Sequence, residues 1–170
     1  GRPCDCEEAM ASPKKASRPS SARKPGAEAL RRKALDMGAK HAVLVNPRDV
    51  VTGEWVRLKC QYGCGGYGCC LTCPPHSPLP AQTRRLLDEY KSGLLIHSDG
   101  PRAWRTSSDI ARKLEREAFL AGFYKAFSFL SGPCSLCKEC PVEEGCRRPE
   151  EARPSMEAAG IDVFATARKQ

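Results

Sequence analysis

Eleven cysteines stand in this 170-residue chain, and they are grouped rather than spread. Cys4 and Cys6 lie near the start, Cys60, Cys64, Cys69, Cys70 and Cys73 share one short stretch, and Cys134, Cys137, Cys140 and Cys146 share another, with none between Cys73 and Cys134. A disulfide framework distributes its half-cystines so as to join distant segments, whereas a metal site gathers thiolates into short loops. The odd total and the clustering therefore point to metal. A chain of this length can also bury an apolar core without cross-links, so the thiols need another use.

The second cluster, "CSLCKECPVEEGC", is the more specific signal. Cys134, Cys137 and Cys140 follow one another at C-x-x-C spacing, which winds a short loop round one centre, and Cys146 can close the coordination from the far side. The run is similar to the closely spaced cysteines of bacterial ferredoxins, except that Pro141 follows the third cysteine and the fourth lies further on. Ligation of one [4Fe–4S] cluster by all four is the simplest reading. The rival is zinc, whose structural sites pair two C-x-x-C knuckles from separate segments. Four thiolates leave either centre with a net charge of about −2, which Arg147, Arg148 and Arg153 could offset as readily as they could form a solvated basic turn.

The first cluster reads "CQYGCGGYGCCLTCPPHSP". Gly63, Gly65, Gly66 and Gly68 allow positive φ and could bring backbone N–H groups close to sulfur, and Pro74 and Pro75 stiffen the exit. Five thiols exceed by one what a tetrahedral ion or a cubane needs. The candidate ligands are Cys60, Cys64, Cys73 and one of Cys69 and Cys70; the C-x-x-C spacing from Cys70 to Cys73 favours Cys70. His76 is an alternative ligand, although a histidine after two prolines is more often at the surface. His41 and His97 fall in expected strands, and Tyr67 could either shield the site or simply pack.

These loops need elements to position them. Residues 1–26 are rich in Ser, Pro, Lys and Arg with no apolar period, which predicts a disordered tail and makes Cys4 and Cys6 bystanders. Residues 27–170 read as one domain. "AEALRRKALDMG", "AQTRRLLDEYKSG" and "SSDIARKLEREAFLAG" have helical spacing, while "HAVLVN", "EWVRLKC", "LLIHS" and "YKAFSFL" read as strands. The alternation predicts an α/β domain with a mixed or largely parallel sheet flanked by helices, and two cysteine-rich metal loops following strands. The net charge of +8 is dispersed, with no basic and aromatic strip of the kind that binds nucleic acid. No apolar run is long enough to span a bilayer or resembles a signal peptide, so the expected setting is the reducing cytoplasm. Phosphate-binding glycine loops, nucleophile triads and nucleotide fingerprints are missing from the sequence.

"VRLKCQYGCGGYG", "CPPHSP" and "SGPCSLCKECPVEEGCRRPEEARPSMEAAGIDVF" together resemble an uncharacterised cysteine-rich family of predicted metal-binding proteins, found mainly in anaerobic bacteria and archaea. The resemblance covers roughly residues 28–168. It implies metal binding and iron–sulfur chemistry, with Cys60, Cys64 and Cys73 matching one motif and Cys134, Cys137, Cys140 and Cys146 the other. A Lys and a small residue are usual at the positions of Cys69 and Cys70, and some relatives have Cys at the position of Ala159, which leaves the fourth ligand of the first site open. Three functions remain: an electron carrier with one or two [4Fe–4S] clusters and a redox protein partner, an enzyme with an open-site cluster, or a zinc-stabilised interaction module. Whether the chain is an enzyme, and its oligomeric state, stay open at the level of sequence.

Overall fold

The computed structural model describes residues 26–170, so the expected tail up to residue 25, with Cys4 and Cys6, lies outside the described residues. Helix α1, Ala27–Asp36, places Leu30, Ala34 and Met37 on one face, and Gly38 ends it at φ 98°, donating its N–H to the Leu35 carbonyl. Strand β1, His41–Val45, follows. Helix α2, Glu54–Gly63, and helix α3, Pro80–Asp88, come next, then strand β2, Gly93–His97. Helix α4, Ala103–Leu120, buries Ile110, Leu114 and Ala118 at four-residue spacing, and the short α5, Val163–Ala167, comes near the end of the chain.

β1 and β2 pair antiparallel, with Ala42 opposite Ile96 and His41 opposite His97. α1 and α4 pack on this ribbon and on each other. Ala34, Ala39, Ala42, Ile110 and Leu114 form the core there, with Leu94 and Ile96 half-buried against it. An apolar cavity of about 680 Å³ borders this core, lined in part by Leu87, Leu95, Phe123, Phe127 and Phe129.

The expected parallel sheet is therefore corrected to a two-stranded antiparallel ribbon among the described residues. The strand expected at "EWVRLKC" is helix α2. Val56 and Cys60 face inward at four-residue spacing, a separation that also has the even parity of a strand face, and in so short a segment the two periods cannot be told apart. The strand expected at "YKAFSFL" is reduced to one isolated parallel bridge, Leu130 with Ser155, in which Leu130 N–H meets the Pro154 carbonyl at 2.9 Å, while Ser128 N–H goes to the Glu115 carboxylate at 2.7 Å. Without these two strands there is no crossover unit to build a parallel sheet.

The remaining half is joined by polar contacts between distant segments. Ser77 Oγ donates to the Ala158 carbonyl at 2.6 Å, Thr83 Oγ1 to the Ala159 carbonyl at 2.7 Å, and Gly53 N–H to the Gly160 carbonyl at 2.9 Å. Gly160 has φ 77°, and a Cβ there would collide with the Pro80 ring, so only glycine permits this close approach of the C-terminal segment to α3.

Candidate metal centre

Helix α2 delivers the first two sulfurs. Cys60 lies one turn beyond buried Val56, and Cys64 caps the helix one turn later with its N–H on the Cys60 carbonyl at 3.3 Å. Positions four apart share a helix face, so both thiols leave on the same side. The chain then doubles back: Gly68, at φ 74°, donates its N–H to the Pro74 carbonyl at 2.8 Å, and Cys73 N–H meets the Cys70 carbonyl at 2.9 Å to close a C-x-x-C turn. Of the four glycines in this loop only Gly68 takes positive φ. The Gly66 N–H lies 3.4 Å from Cys64 Sγ.

Arg57, three residues before Cys60, holds this loop against the C-terminal segment. Its guanidinium donates to the carbonyls of Pro78 at 3.0 Å, Ser77 at 3.3 Å and Ala158 at 3.4 Å, and to Ser77 Oγ at 3.2 Å. The buried turn so anchored contains Ala158 and Ala159. Glu157, just before it, raises the Cys60 pKa by its charge. That C-terminal turn is thus a neighbour of the first thiol group.

The second cysteine loop has no helix or strand between residues 131 and 153. It is tied at both ends to α4. Ser108 Oγ donates to the Ser131 carbonyl at 3.0 Å and accepts the Ser131 N–H at 3.1 Å, and Arg153 pairs with Glu115 at 2.5 Å. Gly145, at φ 93°, donates its N–H to the Pro141 carbonyl at 3.0 Å and turns the chain back before Cys146.

The two loops meet at sulfur. Leu71 N–H donates to Cys140 Sγ at 3.4 Å, and Cys70 is near enough to Cys73, Cys134 and Cys140 to influence their ionisation. A cavity of about 280 Å³ is lined by Cys69, Cys70, Cys134, Cys137, Cys140 and Cys146. Lys138, Arg147 and Arg148 also line it, Arg147 paired with Glu144 at 2.9 Å and Arg148 with Glu151. Cys69 itself is exposed, and its sulfur turns back toward the Gly65 and Tyr67 carbonyls at 3.6 Å.

The thiols sense one another's charge. Burial pushes the Cys73 pKa up to about 12, reinforced by Cys70, Cys64 and Cys60. Burial also raises Cys60, aided by Cys64 and Glu157 against the opposing Arg57, and it raises Cys134 despite the Leu136 N–H. At Cys140 the Leu71 N–H works downward, but burial and the neighbouring Cys70 and Cys134 prevail. Cys70 alone among these shifts the other way. Burial opposes its ionisation, yet the Thr72 hydroxyl and N–H and the thiols of Cys140 and Cys73 outweigh that. Half-buried thiols that raise each other's pKa lack one thing, a positive centre, and a bound metal supplies it while displacing their protons.

The eight sequence-derived candidates fall in two loops, Cys60, Cys64, Cys70 and Cys73 at and after the end of α2 and Cys134, Cys137, Cys140 and Cys146 in the second, and Cys70 joins the second set in lining the cavity. The histidines stay outside. His76 is exposed, and His41 and His97 stack on each other across the ribbon with ring centroids 5.6 Å apart. Sequence reasoning missed Arg57, Thr72 and Glu157. Thr72 carried a legible signal, a hydroxyl inside the C-x-x-C turn; Arg57 and Glu157 carried none, since their partners are distant in sequence.

Among the described residues, no three Cys, His, Asp or Glu side chains converge as they would round one ion, and none of the nine cysteines is in a disulfide. The thiols surround a space, not a point. No helix among the described residues is long and apolar enough to cross a membrane. No curated protein and no solved structure matches the chain. Residues 43–170 match the family described as "Predicted metal-binding protein (DUF2284)", a span that takes in every thiol described above. The chain belongs to this DUF2284 family of predicted metal-binding proteins.

Proposed function

We propose that the protein is an iron–sulfur protein with two [4Fe–4S] centres that carries electrons for a partner redox protein in a reducing, cytoplasmic setting. The observation that carries this reading is the cavity of about 280 Å³ walled by thiols from two loops. In a cubane each thiolate binds a different iron, so its ligands must stand apart round a volume, whereas the thiols of a zinc site converge on one ion. The donor set fits: the candidate ligands are all cysteines, three of them on one C-x-x-C-x-x-C run. When bound, such a cluster takes up and returns single electrons. Two thiol groups joined by the Cys70–Cys73 turn suit transfer from one centre to the next. The residues round them do matching work, since Arg57 and Arg153 fix the loops and Leu71 and Gly66 direct N–H groups at sulfur. Hydrogen bonds to ligand sulfur are one of the protein's means of setting a cluster's potential.

The test is electron-paramagnetic resonance of anaerobically purified full chain before and after one-electron reduction. The account expects a low-temperature signal that appears on reduction and disappears on reoxidation. A chain that stays silent in both states contradicts it.

A further inference from the structure

Six thiols line the cavity at the second loop, two more than a cubane uses, and one of them, Cys69, is exposed with its sulfur 3.6 Å from the Gly65 and Tyr67 carbonyls. Cys134, Cys137 and Cys140 belong to one run, so the fourth ligand is either Cys146, from the same loop, or Cys70, from the other. Cys70 is the better held. Thr72 is buried, with its hydroxyl 3.3 Å from Cys70 Sγ, and Leu71, between them, pins the backbone to Cys140 Sγ at 3.4 Å. Cys70 lines the cavity together with Cys134, Cys137 and Cys140 of the second loop, and its carbonyl accepts the Cys73 N–H at 2.9 Å. Cys60, Cys64 and Cys73 do not line this cavity.

Building on the iron–sulfur reading, we propose that Cys70 crosses over to complete the second centre with Cys134, Cys137 and Cys140, and that Cys60, Cys64 and Cys73 form a three-thiolate centre with one iron open to an external ligand. The C-x-x-C turn from Cys70 to Cys73 then serves two clusters, one sulfur each, and Cys146, like Cys69, is surplus. A cysteine run that shares its ligands between neighbouring clusters is an arrangement two-cluster ferredoxins also use. Cys64 is exposed, so the three-thiolate group is open to solvent. The external ligand is a small soft donor such as a low-molecular-weight thiol, because an iron already held by sulfide accepts one readily.

Iron and acid-labile sulfide per chain decide the assignment, measured on anaerobically purified full chain carrying Cys70→Ala, Cys137→Ala, Cys146→Ala or the Cys70→Ala/Cys137→Ala pair. Cys70→Ala and Cys137→Ala should each lose about half of the iron and the pair no more than either, as expected for two ligands of one centre. Cys146→Ala should keep the wild-type content. Retention of all iron by Cys70→Ala, further loss in the pair, or loss in Cys146→Ala overturns the assignment. Cys146→Ala decides even if Cys70→Ala fails to fold. In Cys137→Ala, 2-mercaptoethanol should shift the remaining resonance signal; an unmoved signal overturns the open iron. Zinc without sulfide in the wild-type protein overturns the iron–sulfur reading itself, which separates that failure from a wrong ligand assignment.

Discussion

The half built from α1, α4 and the β1–β2 ribbon and the half that holds the cysteines are stabilised by different means. The first is built round the apolar cluster of Ala34, Ala42, Ile110 and Leu114. The second has long stretches without regular structure, joined by Arg57, Ser77, Thr83 and Arg153 through hydrogen bonds to distant segments. Burial, and after it the neighbouring thiols, raises the pKa of Cys73 there. The contrast teaches that burial folds the scaffold while polar clamps and a bound metal complete the site. The two halves should therefore fail separately.

Metal removal should separate them most. Stripping the metal anaerobically with a chelator should expose amides in residues 64–79 and 131–153 to hydrogen exchange and leave those of α4 and the ribbon protected, since ligation is folding free energy for the loops that supply the ligands. Uniform loss of protection would mean that the halves are one cooperative unit. The converse cut is Leu114→Ala, which is 5% exposed in the wild type. It should cost about 2–5 kcal/mol in denaturant unfolding and leave the metal content of the folded fraction unchanged.

A smaller effect is expected from Arg57→Ala, which leaves the carbonyls of Pro78 and Ala158 without this donor. Loss of charged hydrogen bonds of this kind costs about 1–3 kcal/mol, and here it should speed metal release from the Cys60, Cys64 and Cys73 group more than from the second. Equal rates at both groups would place Arg57 outside the site's support. The smallest is a pH effect at the seam between the halves. Burial works to raise the Glu115 pKa, but Arg153 and Ser128 outweigh it and hold it below the ordinary value. A carboxyl depressed in the folded state contributes stability above its unfolded pKa, about 4.3 for glutamate. That contribution fades as the pH falls through the lower folded value. Glu115→Gln should accordingly be less stable than wild type at neutral pH, with the gap closing in acid; a gap independent of pH would contradict the pairing.

The same division decides what the sequence could reveal. α1 and α4 were legible by apolar spacing, Ile110, Leu114 and Ala118 being the clearest case, β1 and β2 as short apolar runs, and α3 as a helix-forming run ahead of Gly93. α2 was not, because Val56 and Cys60 satisfy both periods. The strand expected at "YKAFSFL" is cut to the single Leu130–Ser155 bridge because strand formation depends on a partner, and the Ser128 N–H is taken by Glu115. At the site, spacing singled out candidate thiols and grouped Cys70 with Cys73, but it could not show that Cys70 also borders the second loop, since Leu71 and Cys140, which join the loops, are 69 residues apart.

The central claim is that these thiols hold iron–sulfur clusters, and iron, zinc and acid-labile sulfide measured together on anaerobically purified full chain test it most directly. The account predicts brown protein with a broad absorbance near 400 nm, about as much sulfide as iron and little zinc. Stoichiometric zinc with neither iron nor sulfide would contradict it.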